Sequence, residues 1–350
     1  MAYFMFILFG FALMCISWIT PRHVTMLGLI FMVYAVMFAG MRGDSKDYEQ
    51  YVIMFFDMSR SGLDYPARLY IGKDPLFGAL IITIQKLGLG VQWLFLVAAA
   101  IALTLKSRAF FRVFGSILTP LFVTICLDYF LHEFTQIRVA IALGFGFIAM
   151  IELCNGRKLA WALYSLLAVG FHISLLAIIV FELPLVFGIE RNVYIAIAAF
   201  GTLVAVALIG NFVSVVSDFV SRAAVYERLG GVSDHMLIVA TSKVIALSLL
   251  VKLLMRKNMG AFMQKLIKIS FIFSWVGYGF ILIFMNKAAG FGFRIYELFD
   301  AFSVFIIAAA LLKRWTLPWA IAINYCMALL VLLSISKLLL PYQLASLSLW

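Results

Sequence analysis

Residues 113–153 read VFGSILTPLFVTICLDYFLHEFTQIRVAIALGFGFIAMIEL, and this stretch decides the fold. Its two apolar runs, 113–131 and 137–153, approach the ~20 residues a helix needs to cross the hydrocarbon of a bilayer. Strict apolar–polar alternation of a barrel strand is absent, and a helix is the segment that closes its backbone hydrogen bonds internally. Between the runs Asp128, His132, Glu133, Gln136 and Arg138 crowd into one short connection. Ionisable residues in such a place face a bundle interior or a wet cavity.

The pattern extends along all 350 residues, of which 65% are hydrophobic and 12% charged, with a mean hydropathy of +1.11. A soluble domain runs nearer ~45–50% apolar and ~25% charged. A chain this apolar cannot cover a water-facing surface, so the bilayer is its first partner. Further apolar runs fall at 3–20, 24–41, 91–105, 157–171, 173–189, 193–216, 236–254, 269–286, 296–312 and 316–334. The expectation is an all-α polytopic integral membrane protein, a bundle of about 11–13 transmembrane helices with short loops. The run 75–88 is shorter and reads as an interfacial or half-inserted helix. The first run lacks a basic leader and a small-x-small cleavage site, and Cys15 lacks the small residue a lipoprotein signal places before it; it reads as a retained span. Cys15, Cys126, Cys154 and Cys326 stand singly, which fits packing rather than disulfides or zinc.

Twenty-seven Lys and Arg against sixteen Asp and Glu give a net charge of +11. The basic residues sit in clusters between apolar runs, so topology accounts for them and a nucleic-acid partner is set aside. Arg22, Lys106, Arg108, Arg112, Arg157, Lys158, Arg191, the group Lys252 to Lys268, and Lys313 with Arg314 form one set of connections. The positive-inside rule assigns that set to the cytoplasm. The mixed-charge connections 42–74, 128–138, 217–235 and 287–296 then share the outer face with both termini. No soluble domain or repeat interrupts the spans, so residues 1–350 read as one transmembrane domain, with 42–90 capping an outward-facing cavity.

Five outer constellations could carry chemistry. Arg42 follows the second run, ahead of Asp44, Asp47 and Tyr48; an arginine fork binds two phosphate oxygens, while an interfacial Arg beside an acidic turn is the plainer explanation. In the segment 128–138, His132-Glu133 begins like a zincin helix, but the second His is replaced by Gln136 and the metal reading fails. His172, in Gly170-Phe171-His172-Ile173-Ser174, is one of four histidines and suits proton transfer at a tight hairpin, or is a satisfied polar residue. Arg222 with Tyr226, and Arg294 with Tyr296, stand at outer boundaries where either residue also serves as an anchor. Taken together, Arg42, Arg138, Arg222 and Arg294 could form a basic pocket for a lipid phosphate.

The order of these motifs resembles the EpsG/Wzy group of bacterial polysaccharide polymerases. The resemblance rests on Ala39-Gly40-Met41-Arg42-Gly43, Asp47-Tyr48 with Tyr51, Asp74-Pro75-Leu76-Phe77, Phe134 to Ala142, Arg157-Lys158, Phe171-His172-Ile173-Ser174 and Arg294-Ile295-Tyr296, spanning about residues 30–310. Two positions depart from it: Asp74-Pro75 stands where Glu-Pro is frequent, and Val139 follows Arg138 where Gln is usual. The resemblance implies an inner-membrane enzyme joining undecaprenyl-diphosphate-linked oligosaccharide repeats into O-antigen or exopolysaccharide at a periplasmic-facing cavity, with a chain-length co-polymerase as partner. Nothing resembles a paired-Asp metal site except Asp44 and Asp47, so arginine is preferred to metal as the electrophile and no cofactor is expected. The catalytic candidates are His172, Arg138, Arg294, Asp47 and Glu133. Arg42, Arg222, Gln136, Tyr48, Tyr226 and Tyr296 are candidates for holding substrate. Two rivals remain, an O-antigen ligase and a lipid-linked oligosaccharide flippase or transporter. The ligase would carry a large outer domain that no loop here supplies. The transporter would carry mid-span charge, and Lys243, Glu152 and Glu182 lie near run ends or alone.

Overall fold

A computed structural model describes residues 2–60, 74–188, 234–257, 259–284, 289–312 and 343–345. The expected spans 193–216 and 316–334, together with Arg222, Tyr226 and Cys326, lie outside the described residues. The described chain forms two compact units, the first running through Met1–Glu152 and Arg157–Leu176 with the C-terminal piece, the second covering Leu153–Gly156 and Ala177–Ala310.

In the first unit the helices are α1 (Ala2–Ile19), α2 (Val24–Gly40), α3 (Tyr48–Arg60), α4 (Pro75–Lys86), α5 (Val91–Phe114), α6 (Leu118–Thr124), α7 (Ile137–Cys154) and α8 (Lys158–Phe171). α9 (Leu176–Val186) starts at the unit boundary, and α10 (Asp234–Met255), α11 (Ala261–Phe284), α12 (Ala289–Asp300) and α13 (Ser303–Leu312) belong to the second unit. Among the described residues six helices are long and apolar enough to cross a membrane, or up to seven if the α12–α13 pair, bent by 40°, is one span. The protein is an all-α, multi-pass membrane protein. The remaining apolar runs among the described residues give shorter helices at Pro75–Lys86, Leu118–Tyr129, Lys158–Phe171 and Ile173–Val186.

α7 is the central helix of the first unit: 89% of its apolar window is buried, against 28% for α1. α1 presents Phe4, Met5 and Leu8 outward, as a lipid-facing helix does, and packs Phe6 against Phe31, Phe38 and Tyr129. A second aromatic core joins α3, α4, α5 and α7 through Tyr48, Tyr51, Phe55, Phe77, Phe95 and Ile141. The α3 members recur at Tyr48, Tyr51, Phe55 and Met58, the spacing of one helical face, so α3 lies on the bundle with its charged side out.

Two expectations are corrected here. The run 113–131 is not one continuous span. α5 continues through Lys106, Arg108 and Arg112, good helix formers, and ends where Gly115 adopts a left-handed φ of 68°. α6 then passes into a π-helical turn at Ile125–Tyr129, and turns fill 130–135. Lys106 is therefore no loop residue: it is fully buried and ion-paired with Glu133. Nor do the inner charges stand alone. Glu152 is held by Arg112 at 2.6 Å and Arg157 at 3.5 Å, and Lys243 pairs with Asp300 where α12 breaks from α13.

One strand-like contact closes the first unit. Arg42 and Leu344 form an isolated antiparallel bridge, with the Gly43 N–H donating to Gln343 O at 2.6 Å and the Ala345 N–H donating to Met41 O at 3.0 Å. A Cβ on Gly43 would lie 2.7 Å from Leu344 O, so the close approach requires glycine.

Candidate active site

Three helix ends of the first unit converge. Asp74 immediately precedes α4, Arg138 is the second residue of α7, and His172 follows α8. The α4–α8 contact depends on Gly170, where an added Cβ would come within 2.6 Å of Leu76 Cδ1. Gly170 lies two residues before His172 and Leu76 two after Asp74, so this approach brings the Asp74 and His172 side chains together.

Arg138 Nη1 donates to Asp74 Oδ2 at 2.6 Å, and His172 Nδ1 lies 3.2 Å from that same oxygen. The Ile173 N–H donates to Asp74 Oδ1 at 3.1 Å. Beneath the guanidinium lie the rings of Tyr51 and Phe77, with centroids at 5.6 and 5.9 Å, near enough for cation–π attraction. The Asp74 side chain is 3% exposed, whereas Arg138 and His172 keep 16% and 18% of their side-chain surface open. The carboxylate forms the base of the site, and the cation and imidazole are its reachable groups.

Burial acts to raise the Asp74 carboxyl, but the hydrogen bond and charge of His172, the charge of Arg138 and the Ile173 N–H outweigh it. The net result lies below the ordinary value, so Asp74 is ionised at neutral pH. Burial raises the Tyr51 phenol, against the opposing pull of Arg138, and keeps it neutral.

The structure distributes the other candidates differently. Arg42 does not point outward: it is fully buried, its Nε donates to Ser45 Oγ at 3.3 Å, its Nη1 donates to Ala39 O, and its guanidinium lies 4.5 and 5.0 Å from the Phe95 and Phe134 ring centroids. Tyr48 stacks on Phe95 and donates to Gln92 Oε1 at 3.3 Å. Glu133 is sealed against Lys106, and Gln136 is buried at the entry to α7. Of the segment 128–138, Arg138 reaches the site while Asp128, His132 and Glu133 turn into the bundle. Asp47 is part-buried at the start of α3, close enough for its charge to act on Tyr51. In the second unit Arg294 is exposed on α12 and Tyr296 is buried against Ala240 and Ile281.

Asp74 is the residue that sequence reasoning missed. From sequence it is named only within a motif, with no role assigned to it. Its side chain makes no capping bond, and a usable signal was its place inside the Asp74-Pro75-Leu76-Phe77 motif.

At the far end of α7, about 21 Å from Arg138 at 1.5 Å per residue, Glu152 gathers Arg112 and Arg157. The central helix thus carries a buried carboxylate with basic partners near each end. Searches of curated proteins and of solved structures give no match. A family model described as EpsG family matches residues 24–344. Nearly the whole chain, both compact units and the Arg138–Asp74–His172 corner included, is covered by that match, and the protein belongs to the EpsG family of Wzy-type polysaccharide polymerase-like proteins.

Proposed function

We propose that the protein is a membrane glycosyltransferase that polymerises undecaprenyl-diphosphate-linked oligosaccharide repeat units into O-antigen or exopolysaccharide at the periplasmic face of the inner membrane. The observation that carries this reading is the meeting of Arg138 and His172 at one carboxylate oxygen, both part-exposed. An acceptor hydroxyl oxygen attacks the anomeric carbon of the donor chain. The bond from that carbon to the phosphate oxygen breaks, and its electrons leave with undecaprenyl diphosphate. Arg138 supplies fixed positive charge to the departing oxygens. His172 accepts the hydroxyl proton. Asp47 and Glu133 are the further candidates for a base.

One observation favours the transporter alternative. Lys243, midway along α10, pairs with Asp300 at a bent helix break, the mid-helix charge that a transporter would carry. Incubation of purified protein with lipid-linked repeat units, read on a gel, separates the readings. A ladder means polymerase, transfer to lipid A means ligase, and no covalent change means transport. Arg138→Ala and His172→Ala should each lower elongation at least about 10²-fold while leaving abundance normal. Full-length polymer from either variant removes that residue from the mechanism.

A further inference from the structure

Asp74 spends its carboxylate unusually. An Asp at the residue before a helix normally bonds the free N–H groups of the first turn, a contact worth about 0.5–2 kcal/mol. Here no such bond is made, and the side chain crosses to two other helices. It receives three N–H contacts on two oxygens: Arg138 Nη1 and His172 Nδ1 at Oδ2, Ile173 N at Oδ1. An ionised carboxylate accepts and never donates. Facing it, the Nδ1 of His172 must therefore carry a hydrogen. In a neutral imidazole the lone pair then belongs to Nε2.

We propose that Asp74 is the positioning residue of this site: it holds His172 as the Nδ1–H tautomer, leaves Nε2 to take the acceptor proton, and fixes Arg138 beside it. The inference rests on the polymerase reading for the proton's identity, but not for the tautomer. One carboxylate would thus set the spacing between the group that receives the proton and the group that meets the leaving diphosphate. A stability role alone explains the arrangement poorly. A buried ion pair is weak evidence for stability, because desolvation offsets most of its attraction.

The test uses the full-length protein in detergent or reconstituted vesicles. Histidine labelled with ¹⁵N reports the tautomer directly, and four histidines make the spectrum simple, with His172 assigned by its loss in His172→Ala. In the wild type the neutral imidazole of His172 should be the Nδ1–H form. Asp74→Asn offers one acceptor oxygen to three donors, so the population should move toward Nε2–H. Its kcat for elongation should fall about 10²–10⁴-fold, with folded protein unchanged. Asp74→Glu, which keeps the charge, should recover at least about tenfold of that loss. An Asp74→Asn protein that elongates within about threefold of wild type, or an unchanged tautomer in that variant, overturns the proposal. So does a loss that disappears once rates are expressed per folded molecule. If the tautomer moves as stated but wild-type protein makes no ladder, the polymerase reading fails and the positioning role stands. If wild type makes a ladder and Asp74→Asn does too, the reverse holds.

Discussion

Two ion pairs in the first unit invite comparison: Arg138 with Asp74, and Lys106 with Glu133. Both join segments distant in sequence, and both sit within a predominantly apolar bundle. The first is open on two of its three members, rests on aromatic rings, and shares its carboxylate with a histidine. The second is closed, with side chains 1% and 0% exposed and Phe147 5.7 Å from the ammonium. No substrate atom can reach the sealed pair without unpacking α5 from the turns after α6. An ionisable residue in such a bundle is a functional candidate by default. Here accessibility divides the candidates: Arg138 and His172 keep part of their side chains open, and Glu133 keeps none.

This contrast can be broken most directly at Glu133. Glu133→Gln leaves the Lys106 ammonium buried without its counter-charge, at a cost of about 3–5 kcal/mol. Folded yield and thermal midpoint should fall sharply, while elongation per surviving molecule stays near wild type. Replacing both partners, Lys106→Met with Glu133→Leu, should restore most of the yield. A Glu133→Gln protein that is abundant but inactive would place Glu133 in the catalytic set.

A smaller effect sharpens the open site. Gly170→Ala pushes against Leu76 Cδ1, the movable end of a side chain, so stability should fall by only about 1 kcal/mol. Elongation should fall severalfold as α4 and α8 separate and Asp74 draws away from His172. Leu76→Ala in the same chain should restore the rate; an unaffected Gly170→Ala rate would show that the α4–α8 spacing does not govern the site.

The smallest effect concerns acid. Asp74 is more acidic in the fold than its ordinary value of 3.8, so its stabilising contribution is complete above that value. It declines as pH falls through the lower, folded value. Thermal midpoints taken from pH 6 down to about 3 should therefore drop less steeply in Asp74→Asn than in wild type. Parallel curves would show that the ion pair contributes nothing to the pH dependence of stability.

Much of the fold was legible because the requirement for apolar span-length runs is local. Arg138 and His172 were legible for a related reason: each marks the end of such a run. What escaped depends on distant partners. The pairing of Lys106 with Glu133 becomes possible only because α5 runs past its apolar segment and α6 breaks into a π-helical turn. The second event has no strong mark in the sequence. Arg42 was misplaced because an arginine after an apolar run looks the same whether it meets water or two phenylalanine rings. Asp74 stood out only as part of the Asp74-Pro75-Leu76-Phe77 motif, because its partners Arg138 and His172 lie 64 and 98 residues away in the chain.

The bridge between Arg42 and Leu344 carries a consequence for biogenesis. The corner that buries Arg42 is completed by residues made about three hundred positions later, and translation at about 5–20 residues per second separates the two by roughly 15–60 s. During that interval the Met41–Gly43 backbone lacks its Gln343 and Ala345 partners and must wait while every intervening helix enters the membrane. Assembly of this edge is therefore post-insertional, and a change at Leu344 would be felt first at Arg42, about three hundred residues earlier in the chain.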